Sequence, residues 1–167
     1  MTKFRFAEGL KVLPVITPAN KTSATVESNF VYLKGVNWLT FMVHICTTTG
    51  SATSDVLTFT VVASTSGSTN TSQTALAFNY RLSAAIGTDT MGAITAATSA
   101  GYEVLQTALD NMVVIIDVDP AAVSKALTGA SYVHLVITPS GSAANILGAV
   151  AICEPRFPGN DIISASS

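Results

Sequence analysis

Strict alternation of apolar and other residues is the feature that most constrains this chain. In Asn37–Gly50, Leu39, Phe41, Val43 and Ile45 fall on one side, and Trp38, Thr40, Met42, His44 and Cys46 on the other. Successive side chains of an extended strand point to opposite faces, so this period of two predicts a strand with one face against a core. The pattern recurs. Leu57, Phe59 and Val61 oppose Thr58 and Thr60; Leu76, Phe78, Tyr80 and Leu82 oppose Asn79 and Arg81; Val133, Leu135 and Ile137 oppose Tyr132, His134 and Thr138. The runs KVLPVI, ATVESNFVYLK, VVIIDV and ILGAVAIC bring the expectation to about eight strands.

Between the runs lie connectors rich in Gly, Ser and Thr: TTTGSATSD, TSGSTNTSQ, GTDTMG and TPSGSAAN. Short strands with regular turn signals and no alternating long helices predict an all-β, single β-sandwich, jelly-roll-like or immunoglobulin-like. One short helix is predicted at Pro120–Leu127, stopped near Gly129. Residues 93–109 fit a crossing loop with a brief strand at YEVLQT. With 167 residues and no internal repeat, the whole chain, residues 1–167, is expected to form one domain. Residues 1–10 read as an N-terminal arm or extra strand, and residues 155–167 as a C-terminal arm.

Charged residues make up only 11% of the chain against 49% hydrophobic, and the net charge is −2 without blocks of either sign. An average soluble domain carries roughly 25% charge. A surface built of Ser, Thr, Asn, Gly and Ala has little charge repulsion to hold neighbours apart, which suits a protein packed against partners and equally a stable β-protein with a polar, uncharged exterior. Nucleic-acid binding needs clustered Lys and Arg, and no cluster occurs. The apolar run Ile146–Cys153 is far shorter than the roughly 20 residues of a spanning helix, so no membrane partner is expected. The first residues lack the apolar stretch of a secretory signal.

The candidates for chemistry each have a structural explanation. Asp117 and Asp119 close the run VVIIDVDP two residues apart, the spacing of a carboxylate pair on one strand face. Asp119, however, directly precedes Pro120, as a helix N-cap precedes proline at the first helical position. Asp117 then marks a solvated strand end, and PAAVSKAL supplies no further metal ligand. His44, Cys46, His134 and Cys153 could hold zinc only if three strands were adjacent, and no H-x-H, HExxH or CxxC spacing is present. Both cysteines are read as small buried hydrophobes, and the lone Trp38 as packed. Neither a nucleophile elbow nor a phosphate-binding loop occurs. No catalytic, cofactor-binding or metal residue is assigned, and no enzyme is expected.

Four segments stand in a particular order: G-T-D-T-x-G at Gly87–Gly92, I-D-V-D at Ile116–Asp119, Y-V-x-L-x-I-T at Tyr132–Thr138 and E-P-R-F at Glu154–Phe157. Together they resemble a family of small virion proteins of tailed bacteriophages and prophages. The resemblance spans roughly residues 24–158. It implies a capsid decoration (cement) protein: β-rich, on the outer surface of the icosahedral head, bound to the major capsid protein and assembled with its own copies, commonly as a homotrimer. Such a protein is made in the bacterial host cytoplasm and ends in the virion. It implies no cofactor. The terminal arms and one set of Gly/Ser loops would be the contact elements. A tail, neck or head-fibre component is the alternative within the virion. A host-facing carbohydrate-binding module is the alternative outside this class, and it would need an exposed aromatic pair with polar neighbours.

Overall fold

The computed structural model describes residues 9–22, 24–48, 55–67, 72–84, 90–141, 144–157 and 164–165. Along them run β1 (Lys11–Thr22), β2 (Val26–Glu27), β3 (Phe30–Tyr32), β4 (Val36–Thr48), β5 (Val56–Ser64), β6 (Gln73–Leu76) and β7 (Phe78–Leu82). Then come β8 (Thr95–Ala97), β9 (Tyr102–Leu105), a 3₁₀ turn (Gln106–Ala108), β10 (Met112–Val118), the helix α1 (Pro120–Ala126), β11 (Tyr132–Pro139), β12 (Ala144–Pro155) and β13 (Ser164–Ala165).

The strands form two antiparallel sheets. The first has the order β1-β12-β4-β10-β7-β8; the second runs β13-β3-β11-β5-β6, with β2 also beside β11 and β9 beside β5. Four pairs are nested in sequence: β5–β6 innermost, then β4–β10, β3–β11, and β1–β12 outermost. That nesting is what a single long hairpin gives when rolled across two sheets, so the sandwich is a jelly roll. Of the two architectures open from sequence, the immunoglobulin-like one is excluded by this order.

The predicted inward residues make the core. Leu39, Phe41, Val43 and Ile45 of β4, Phe59 and Val61 of β5, Val114 and Ile116 of β10, and Val133, Leu135 and Ile137 of β11 are all fully buried. Burying each such side chain contributes about 1.5–3 kcal/mol, with Ala and Cys positions less, and this drives the two sheets together.

Two predicted strands are broken, each for a local reason. ATVESNFVYLK divides into β2 and β3 at Ser28, whose buried hydroxyl accepts from the Leu135 amide at 2.9 Å and donates to the Asn29 carbonyl. The serine replaces a ladder contact with a side-chain one. TALAFNYRLS divides at Ala77, where the chain leaves the second sheet and enters the first. Leu76 and Phe78 remain buried on either side of the break. Alternation survives because both sheets face the same interior.

The segment from β7 to β9 closes one edge of the sandwich. Tyr80 on the first sheet stacks on Tyr102 of the second at 3.8 Å between ring centroids, with Phe59 and Phe78 on either side. Burial, and then the neighbouring Tyr80, push the Tyr102 phenol above its ordinary pKa. The turn into β9 depends on Gly101, which has φ +99° and bonds the Thr98 carbonyl. A Cβ there would lie 2.6 Å from the Phe59 carbonyl oxygen.

Candidate interaction surface

The register of the first sheet builds its outer face row by row. One row reads Val12, Ile152, Thr40, Asp117 and Asn79 from β1 to β7; the next reads Pro14, Val150, Met42, Ile115 and Arg81. A third brings together Gly148, His44 and Val113. From β1 to β10, the second and third rows contain no carboxylate, lysine or arginine. Val12 and Met42 are exposed, as is Ile146 at the far end of β12; Val113, Ile115, Val150 and Ile152 are half-buried. Water therefore meets an apolar stripe four strands wide.

Within this face lies a groove of about 360 Å³ between β1 and β4. Pro14 and Pro18 form one wall, Met42, His44 and Cys46 the other, and Gly148 the floor. Its cause is local. β1 is the sheet's edge, and its pairing with β12 slips between Pro14 and Ile16 and again between Ile16 and Ala19. Proline has no N–H to donate, so it is tolerated at an edge and lifts the strand locally. Gly148 completes the hollow: a Cβ there would meet the Pro18 Cγ at 2.8 Å.

At the other end of the same face, Asp117 accepts from the Thr40 hydroxyl at 2.7 Å and from the Trp38 indole at 3.4 Å, both on Oδ1. Trp38 is 40% exposed, so the expectation that it is packed is corrected. It sits on the outward side of β4, opposite Glu154, and its indole N–H reaches Asp117 on the neighbouring β10. Asp119 is the N-cap of α1, as its place before Pro120 predicts: its Oδ1 accepts from the Ala121 amide at 2.8 Å. The two aspartates therefore diverge. Asp119 turns to the helix while Asp117 stays in the outer row.

The histidines and cysteines are distributed over three environments. His44 and Cys46 share the outer face of the first sheet, with Nδ1 and Sγ 3.7 Å apart. Cys153 points into the core, where burial pushes its thiol up to about 12. His134 belongs to the second sheet, 1% exposed and against the Phe30 ring at 4.4 Å. Cys46 is only half-buried, which corrects the expectation of two buried thiols. Among the described residues, no three His, Cys, Asp or Glu side chains converge as a metal site would need.

A second cleft, of about 470 Å³, opens where the β3–β4 turn, α1 and the end of β12 meet. Lys34 and Arg156 line it with Tyr32, Ser124 and Ser131. The Arg156 amide bonds the Gly35 carbonyl at 2.7 Å and ties the departing tail to the turn. Residues 1–8 of the proposed N-terminal arm and most of residues 158–167 of the C-terminal arm lie outside the described residues. So do the middles of the four Gly/Ser connectors, including residues 87–89 of the GTDTMG loop.

Comparison of the chain with protein-family models, with curated proteins and with solved structures gives no match. The surface thus has to be read from its own chemistry. Sequence reading missed the apolar outer face, yet the signal was present. VVIIDV and ILGAVAIC are continuous apolar runs, and such runs belong to strands covered on both sides.

Proposed function

We propose that this chain is a non-enzymatic structural protein of a tailed-phage virion. It decorates the outer surface of the icosahedral head and stabilises it by bridging neighbouring capsomers. Its partners are the major capsid protein and its own copies, in a homotrimer. The observation that carries this reading is the uncharged apolar stripe across the outer face of the first sheet. Contiguous exposed apolar surface on a soluble domain marks an interaction site. The partner's identity is supported by the sequence resemblance over residues 24–158. Repetition on a lattice raises effective concentration, so each contact can be modest. The test is co-sedimentation of the purified chain with expanded heads and with proheads. Binding to expanded heads alone supports the reading; a chain that stays in the supernatant with both refutes it.

Trp38 favours a second reading, a host-facing carbohydrate-binding module. Its exposed ring beside Thr40 and Asp117 supplies one aromatic and the polar neighbours of the pair such a module needs. Glycan-array binding abolished by Trp38→Ala would favour this reading over decoration.

A further inference from the structure

The groove on the first sheet and the side chain of Phe157 are complementary, and one copy of the chain cannot bring them together. Phe157 is 62% exposed, the highest value among the exposed large hydrophobics of the described residues. It follows Arg156, whose amide is bonded to Gly35 at the start of β4. The groove lies at the opposite end of that strand, around His44 and Gly148. From Val150, the groove residue of β12 nearest the tail, to Pro155 the extended strand covers about 17 Å, at roughly 3.3 Å per residue. Two further residues can return no more than about 7 Å of that distance. The Phe157 backbone therefore stays about 10 Å from its own groove.

We propose that Phe157 of one copy inserts into the Pro14–Pro18–Met42 groove of a second copy, so that the chain assembles head to tail. Two different patches meet in such a contact, and repetition closes a ring when the rotation permits. The groove suits this occupant: its lining is mostly apolar, with His44 and Cys46 beside Met42 on one wall; it presents no carboxylate, lysine or arginine to an entering ring and is open to solvent. Area points the same way. The outer face from β1 to β10 covers roughly 14 Å by 27 Å, from strand spacing and rise. That is only about half of the roughly 800 Å² that each side of a standard interface contributes. Two copies meeting face to face through this patch alone would fall short. A head-to-tail contact engages both the face and the tail of every protomer. Its role rests on the decoration reading, but its existence is independent of any capsid.

The test uses the full chain in solution. Light scattering during size exclusion should give a whole-number multiple of 17.2 kDa for the wild type. Phe157→Ser and Met42→Glu should each give the monomer, with unchanged circular dichroism and a melt that stays cooperative but no longer depends on protein concentration. A short bis-maleimide should link Arg156→Cys chains to one another through Cys46 of the adjacent copy, and the bands should vanish in the Arg156→Cys/Cys46→Ser double variant. A monomeric wild type, or an assembly untouched by Phe157→Ser, overturns the contact. Cys46–Cys46 linkage in the wild type would indicate faces packed on each other and overturns it as well. Since no capsid is present, a negative result removes the self-contact and leaves head binding to its own co-sedimentation test.

Discussion

Lowering the pH from 7 to 5 should destabilise this protein, and His134→Phe should remove most of that sensitivity. The imidazole is 1% exposed, and its Nδ1 has no hydrogen-bond partner among the described residues. One face lies on the Phe30 ring, tilted by 48°. Burial lowers its pKa below the ordinary 6.5, opposed in part by the negative charge of Glu27. In the unfolded chain the group regains that ordinary value. Below pH 6.5 the unfolded state therefore binds a proton that the folded state resists, and stability falls with pH until the folded pKa is reached. The limiting slope for one group is about 1.4 kcal/mol per pH unit. For a domain of this length that is roughly 3–6 °C in Tm per unit. Carboxylates protonate near pH 4, so the window from 6.5 to 5 isolates the imidazole. Phenylalanine keeps an aromatic ring against Phe30 and removes both the proton and the unpartnered nitrogen. Urea denaturation at constant ionic strength, at pH 7, 6, 5.5 and 5, is the assay. A wild type whose midpoint is flat across this range would refute the reasoning, and so would a His134→Phe protein that retains the full slope.

Three further perturbations test other parts of the fold. Gly101→Ala forces a side chain into positive φ and against the Phe59 carbonyl, and should cost about 2–5 kcal/mol in denaturant titration. Asp119→Ala removes the cap of α1 and should cost about 1 kcal/mol, or roughly 2–4 °C in Tm, whereas Asp119→Asn should retain most of it. In the Phe157→Ser chain, whose groove is left open, a thiol reagent should modify one cysteine per native chain, Cys46, and two after denaturation. A second native thiol reacting at the same rate would show that Cys153 is not held in the core.

Much of this architecture was legible because the interior enforces period two. Every residue placed inward on β4, β5 and β11 is inward, and the helix begins at the proline that announces it. Strand breaks were not legible. Nothing in TALAFNYRLS marks Ala77 as the point where the chain changes sheets, because the buried face is continuous across it. Strand order was equally hidden: pairing of β1 with β12 joins residues more than a hundred positions apart, and alternation carries no information about which strands are neighbours. The surface was legible in part. Asp119 had a local role that its neighbours reveal, whereas the partners of Asp117 come from β4, 77 and 79 residues away. The groove depends on slips in the β1 ladder and on Gly148 passing beneath Pro18, contacts with no sequence signature.

The two outer faces of this molecule differ over part of their area in a way that strand propensity does not require. On the second sheet, Val62 and Val136 face outward, but Thr58 and Thr60 of β5 and Thr138 of β11 stand beside them. Threonine is β-branched, fits a pleated surface and satisfies water. On the first sheet the corresponding outward positions of β10, β4 and β12 hold Ile115, Met42 and Val150, which satisfy the strand no better and leave apolar surface exposed. One chain thus meets the same backbone demand with two chemistries, and the apolar choice is the one that the proposed contact on that face would require. Met42→Thr, Ile115→Thr and Val150→Thr combined should leave the cooperative melt within about 2 kcal/mol of wild type, since none of the three belongs to the buried core. The same variant should lose self-association and head binding together. Retention of both by a folded triple variant would show that the stripe is not the interface.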